Sequence, residues 1–230
     1  MNIGPFLSFV TRVCDRPQAL TNCIASVMAQ TRRDWEQVFI VDDTGGHHVG
    51  GNLAWANTQL YVNRMRPAGE YVFLLDDDGV LVSPRFTEYL RRFALDRDFP
   101  EVVLLKSLSL DSKNKVVELP VRDIWDLDWE LGERPPRWSG NGYCVCARRD
   151  VFRAGIAGYW GVPRGGDWYY AQRMIEMGCG FSKLDMISAR STLIGKGRVF
   201  EKCEPGWWGE FAKRGGITET APGDWRLICG

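Results

Sequence analysis

Three carboxylates in a row, Asp76, Asp77 and Asp78, stand directly behind the apolar run Tyr71-Val72-Phe73-Leu74-Leu75. A short apolar run of that kind reads as a buried strand. Side chains alternate along an extended chain, so Asp76 and Asp78 are expected to point the same way. Adjacent like charges raise the cost of ionisation and need compensation. A divalent cation supplies it, and hard carboxylate oxygens suit Mg2+ or Mn2+. Such an ion can bridge a diphosphate and neutralise its charge as it leaves. The plainer reading is a solvated acidic turn, with Gly79 next in line.

A second acidic pair, Asp42-Asp43, follows the apolar stretch Val38-Phe39-Ile40-Val41. A carboxylate there can accept hydrogen bonds from a base N–H or a ribose hydroxyl, or it can serve as a turn residue. Asp167 comes after Gly165-Gly166, which permit unusual backbone angles and close approach of a substrate. At a helix start its carboxylate would be kept ionised, as a catalytic base or as a plain N-cap. Trp125, Trp129, Trp138, Trp160 and Trp168 crowd the second half. Their flat rings can stack on sugar faces or simply pack, and Trp138 and Trp160 flank the candidate site segments. His47 and His48 sit in a glycine-rich loop, where adjacent side chains rarely converge on a metal. Arg190, Lys196 and Arg198 can neutralise a diphosphate or lie on the surface.

The elements that must carry these residues alternate. Phe6 to Val10 reads as a buried strand, and Asp15, Arg16 and Pro17 as a helix start with Leu20, Ile24, Val27 and Met28 on one face. Gln37 to Val41 is a second strand, Leu53 to Arg66 a helix, Tyr71 to Leu75 a third strand, and the segment opened by Ser83-Pro84 a helix with Phe86, Leu90 and Phe93 at helical spacing. Val102 to Leu105 is a fourth strand. This order predicts βαβ units and a mostly parallel central sheet with helices on both faces. Ligands in such sheets sit outside the carboxyl ends of the strands, where Asp42, Asp43 and the Asp76 cluster belong. Further on, Ser107 to Leu119 predicts a hairpin around residues 111–114, Tyr143 to Ala147 a strand, Asp150 to Ala154 a short helix, and Asp167 the cap of a helix ended by Gly178. Signals fade after Lys183, and Trp207 and Trp208 are assigned to a lid over the ligand.

The 230 residues form one continuous domain on this reading: a nucleotide-binding half (1–106), an acceptor and catalytic half (107–182) and a C-terminal extension or lid (183–230). Lys plus Arg and Asp plus Glu both number 29, so no global basic field draws the chain to nucleic acid. The seven cysteines contain no C-x-x-C pair, which argues against a zinc site and for reduced thiols in a reducing, cytoplasmic compartment. No stretch approaches a membrane span.

Phe9-Val10-Thr11-Arg12, the helix ending Ser26-Val27-Met28-Ala29-Gln30-Thr31, and Trp35 to Asp43 resemble the opening of a family 2 glycosyltransferase with the GT-A fold. Ala68 to Asp78 resembles its D-x-D segment. Gly142 to Phe152, Gly165-Gly166-Asp167 and Arg173 resemble the region bearing its catalytic base. The resemblance spans roughly residues 5 to 180. It implies a single GT-A-type domain that moves a hexose from a nucleotide-sugar, with UDP as the nucleotide, to an acceptor hydroxyl with inversion. It implies that Thr11, Arg12, Asp42, Asp43, Asp76, Asp77 and Gly166 bind the donor, with Asp42 on the uracil edge. It implies that Asp78, with Asp76, holds Mn2+ or Mg2+, that Asp167 is the base, and that the acceptor is a glycan, lipid or protein held by Trp138 and Trp160. No histidine follows His48, so the later histidine that completes the metal site in many relatives has no counterpart.

Two other functions share these residues. A sugar-1-phosphate nucleotidyltransferase also uses metal-bound carboxylates on an α/β sheet, but has a glycine-rich basic loop after the first strand, where this chain has Arg12 and Arg16 without glycines. A non-catalytic module that binds nucleotide-sugars or glycans fits the short length.

Overall fold

A computed structural model describes residues 4–13, 16–41, 66–110, 116–119, 144–156, 166–192 and 206–229. Along the chain the elements are β1 (Leu7–Val13), α1 (Pro17–Met28), β2 (Trp35–Val41), β3 (Tyr71–Leu74), β4 (Gly79–Leu81) and α2 (Phe86–Asp96). They continue with β5 (Val102–Leu110), β6 (Val116–Leu119), β7 (Val145–Arg148), α3 (Arg149–Ile156), α4 (Gly166–Glu176), β8 (Phe181–Ser191), α5 (Trp207–Gly215), β9 (Thr218–Ala221) and β10 (Asp224–Ile228).

Among the described residues the strands form one sheet in the order β4-β8-β5-β7-β3-β1-β2-β10-β9, with β6 paired to β5. β1 lies parallel between β2 and β3, with Val13 opposite Val41 and Val10 opposite Leu74. The expected mostly parallel sheet is in fact mixed. β7 inserts antiparallel between β3 and β5, and β10 adds antiparallel to β2. Of the expected α/β alternation, β1, α1, β2, β3, α2 and β5 are present and the helix expected over Leu53 to Arg66 lies outside the described residues, but the fourth strand does not join its neighbour directly, because a strand from the second half takes that place. The hairpin expected between Ser107 and Leu119 is present as β5 and β6.

Continuous apolar strands are what a sheet covered on both faces requires. Val10, Val38, Ile40, Val72, Leu74, Val102 and Leu104 join a core cluster with Phe152 of α3 and Tyr170 and Met174 of α4. Their sequence neighbours Leu7, Phe9, Phe39, Tyr71, Phe73, Val103 and Leu105 join another, with Leu20 and Val27 of α1, Leu90 of α2 and Trp208 of α5. The period-two alternation therefore divides β1, β2, β3 and β5 between two cores. Trp208, assigned to a lid, is a core residue instead, buried against Phe39, Phe211 and Trp225. Gly178, at φ 81°, ends the region of α4 as expected.

Candidate active site

The ladder between β1 and β3 outlasts the strands themselves. The Leu75 amide donates to the Val10 carbonyl at 3.0 Å and the Asp77 amide to the Arg12 carbonyl at 3.4 Å. The extended backbone thus carries the acidic residues to the carboxyl edge of the parallel β2-β1-β3 unit, beside the end of β1. Alternation sends Asp76 and Asp77 to opposite sides, and each meets an arginine. Arg12 grips Asp76 with both arms, Nε to Oδ1 at 2.5 Å and Nη2 to Oδ2 at 2.6 Å. Arg16 grips Asp77 the same way, with Nε to Oδ2 at 3.2 Å and a second, shorter contact from Nη2 to Oδ1.

Among the described residues Asp76 and Asp78 are held by different partners. The chain turns at Asp77-Asp78, and the Gly79 amide donates to the Asp76 carbonyl at 2.8 Å. Asp78 then lies 3.5 Å from Arg16 Nη1 and accepts a hydrogen bond from the Ser191 hydroxyl at 3.3 Å. β4, which begins at Gly79, pairs with the end of β8, and this brings Ser191 and Thr192 onto the acidic turn. Charge compensation for the three aspartates therefore comes in large part from Arg12 and Arg16. Asp77 is fully buried, and Thr11 is buried with its hydroxyl accepting from Gln37 Nε2 at 2.8 Å. These two support the site from beneath. Cys23 lies in the same layer, and burial, reinforced by the Asp77 charge, pushes its thiol far above the ordinary range.

Arg16, Ser191 and Thr192 are site residues that the sequence reading passed over. Arg16 had a signal. It stands at the N-cap of α1, where the helix dipole disfavours a cation, makes no capping bond, and has no acid in the first turn to offset it. A guanidinium there calls for a carboxylate partner from elsewhere. Ser191 and Thr192 had none, since pairing of distant strands leaves no local mark.

Solved structures of similar shape include complexes with nucleotide-sugars. Staphylococcus aureus TarS superposes with a TM-score of 0.57 at 13% identity, over 81% of this chain and 36% of TarS. TarS 1-349 in complex with UDP-GlcNAc gives 0.55 at 13%, over 91% of this chain and 65% of that one. A mannosyltransferase from Pyrobaculum calidifontis, in complex with GDP-Man and Mn2+, gives 0.53 at 13%, over 86% and 59%. The chain has a glycosyltransferase-like fold. No protein-family model and no curated protein matches it. It spans little more than a third of the length of full TarS.

In this fold the acidic turn is placed at the strand edge where ligands bind. Its fit to a cation is partial. Both Asp76 oxygens are held by Arg12, Asp77 is buried under Arg16, and among the described residues no three acidic, histidine or cysteine side chains converge as a metal cage. Asp78 is partly exposed. Gly166 and Asp167 open α4, whose core-facing Tyr170 and Met174 pack beneath the sheet. Arg190, in β8 beside Val80, is exposed. Asp42, Asp43, His47, His48, Trp138, Trp160, Lys196 and Arg198 lie outside the described residues. The described helices contain none long and apolar enough to cross a membrane.

Proposed function

We propose that this chain is a glycosyltransferase that moves a sugar from a nucleotide-sugar, with UDP as the nucleotide, to an acceptor hydroxyl with inversion at the anomeric carbon. The observation that carries this reading is the acidic turn Asp76-Asp77-Asp78, held by arginines at the carboxyl edge of β1 and β3 in a glycosyltransferase-like fold. Asp42 and Asp43, next after Val41 in the sequence, are assigned to the nucleoside. Asp76 is assigned to a ribose hydroxyl. Asp78 would hold Mn2+ or Mg2+, which when bound offsets the charge of the departing diphosphate. Asp167 is assigned as general base. It takes the proton of the acceptor hydroxyl as that oxygen bonds to the anomeric carbon, and the bond to the diphosphate oxygen breaks on the opposite face. Trp138 and Trp160 are assigned to the acceptor, whose nature as glycan, lipid or protein an acceptor panel would identify.

The test is a thermal-shift and calorimetric screen of UDP, GDP and their sugar conjugates with and without Mn2+, followed by transfer assays on acceptor sugars. A nucleotide that binds the folded chain raises its melting temperature. Binding of UDP strengthened by Mn2+, and transfer lost in Asp167→Asn with UDP binding kept, is the expected result. Full transfer by Asp167→Asn removes that residue from its role. Absence of any nucleotide-dependent shift overturns the function.

A further inference from the structure

A groove of about 360 Å3 lies between α2 and the middle of β8, away from the acidic turn. Two features of the chain build it. On α2, Tyr89, Arg92, Phe93 and Asp96 stand at i, i+3, i+4 and i+7 and so share one face of the helix. Phe86, Leu90 and Ala94 occupy its buried side. On β8, Lys183 stands opposite Leu104 and Ile187 opposite Lys106, so two steps of β5 are matched by four of β8. Such a bulge gives up ladder hydrogen bonds and re-aims the residues within it. Those residues are Leu184, Asp185 and Met186, and all three line the groove.

The lining is of two kinds. Tyr89 and Phe93 supply rings, and Leu184 and Met186 supply apolar surface between them. Arg85 lies 4.8 Å from the centre of the Tyr89 ring and Arg97 5.8 Å from that of Phe93, contacts that steady both rings. The charges come as pairs of opposite sign, Arg92 with Asp96 at 3.9 Å and Lys106 with Asp185 at 2.8 Å. Asp185 remains 79% exposed and within reach of a ligand. Paired charges select neither an anion nor a cation, yet they set hydrogen-bond donors and acceptors side by side. A sugar hydroxyl both donates and accepts, and the C–H face of a sugar stacks on an aromatic ring. An extended peptide does not fit in the same way, because the bulge interrupts the strand edge on which it would pair.

We propose that this groove binds a neutral glycan chain at a place separate from the acidic turn. Met186 precedes Ser191, which touches Asp78, by five residues, or about 16 Å along β8. The volume is at the small end for ligand sites, so the groove takes a short stretch of the chain. Binding here does not depend on the function proposed above. Its use, to retain a glycan acceptor beside the transfer site, rests on that reading.

The full chain, titrated at millimolar concentrations with neutral hexamers of glucose, mannose and N-acetylglucosamine, tests this by calorimetry and saturation-transfer NMR. A sulfated hexasaccharide and a short neutral peptide serve as controls. At least one neutral hexamer should bind and the controls should not. Tyr89→Ala should weaken that binding about fivefold or more, through the lost stacking face. Asp185→Ala should weaken it about threefold, the effect of one hydrogen bond. Tyr89 and Asp185 are both exposed, so the two variants should fold and respond to UDP as the parent does. No binding by any neutral hexamer, affinity unchanged in both variants, or preference for the sulfated chain or the peptide would each overturn the groove. A chain that responds to UDP but binds no hexamer loses the groove alone. Hexamer binding that falls in Tyr89→Ala, with no response to any nucleotide, keeps the groove and removes the transferase reading.

Discussion

Thr192 meets the backbone carbonyl of Asp78 twice, with its amide at 2.8 Å and its hydroxyl at 2.9 Å. With the Ser191 hydroxyl on the Asp78 carboxylate, the end of β8 fixes both the backbone and the side chain of Asp78. Thr192→Val keeps the shape and deletes one bond. It should cost about 1 kcal/mol of stability, the usual net value of such a bond, and weaken Mn2+ binding in the presence of UDP. Ser191→Ala should weaken Mn2+ binding with less effect on stability. Urea titration together with Mn2+ binding measures both, and unchanged Mn2+ affinity in both variants would show that Asp78 needs no orientation from β8.

Arg16 and Asp77 form the most buried ion pair of the site, with Asp77 wholly enclosed. Removing one partner leaves the other charge stranded, whereas removing both does not. Arg16→Met should therefore destabilise the chain by about 3 kcal/mol or more, and adding Asp77→Asn should recover a large part of that. A double-mutant cycle in urea gives the coupling directly. Additive losses would mean that the two residues act independently.

The pattern of β1, β2, β3 and the start of β5 was legible because these strands are apolar on both sides, as a sheet packed against two cores demands. Tyr71 to Asp78 shows this best: the run, its sudden acidic end and its place at the ligand edge all follow from local residues. Arg16 was readable as a cation set against a helix dipole. The insertion of β7 between β3 and β5 was not, because Val145 to Arg148 pairs with residues some seventy positions back and nothing local selects that neighbour. Three adjacent carboxylates suggest an ion between them, whereas Arg12 and Arg16, sixty-four and sixty-one residues away from their partners, are counter-charges whose pairing no local pattern marks.

Gly69 sits at the far edge of the sheet, where its amide donates to the Ser8 hydroxyl at 2.8 Å and that hydroxyl donates to Glu36 at 2.6 Å. A Cβ placed on it would stand 2.5 Å from the Ser8 nitrogen and 2.7 Å from the Leu7 carbonyl carbon, which are backbone atoms of β1 and cannot turn away. Gly69→Ala should cost about 1–3 kcal/mol, as overpacking does. Because the clash is at the amino end of β1 and the acidic turn at its carboxyl end, UDP and Mn2+ affinities at a temperature where the variant is folded should match the parent. A variant with normal stability would show that the backbones separate freely. One that is folded but no longer binds UDP would show that the strain runs the length of β1.

Acid should weaken the fold through ion pairs away from the site. Asp34, just before β2, is partly buried, which raises its carboxyl, but this is outweighed by Arg32 at 2.9 and 3.0 Å and by Arg91 of α2 at 2.5 Å, so the group titrates below its ordinary 3.8. Asp150 is lowered likewise, chiefly by its hydrogen bonds from Arg148. A carboxyl depressed in the folded state stabilises fully above its unfolded value and loses that contribution as pH falls through the folded one. Both contributions should be constant from neutrality down to about pH 5 and fade below 3.8. Asp34→Asn should cost about 1 kcal/mol near neutrality, in the range of partly exposed pairs, and the gap to the parent should close as pH drops below 3.8. Urea midpoints of the two chains across that range read the gap. A gap that stays constant into acid would mean that Asp34 acts through its shape and not its charge.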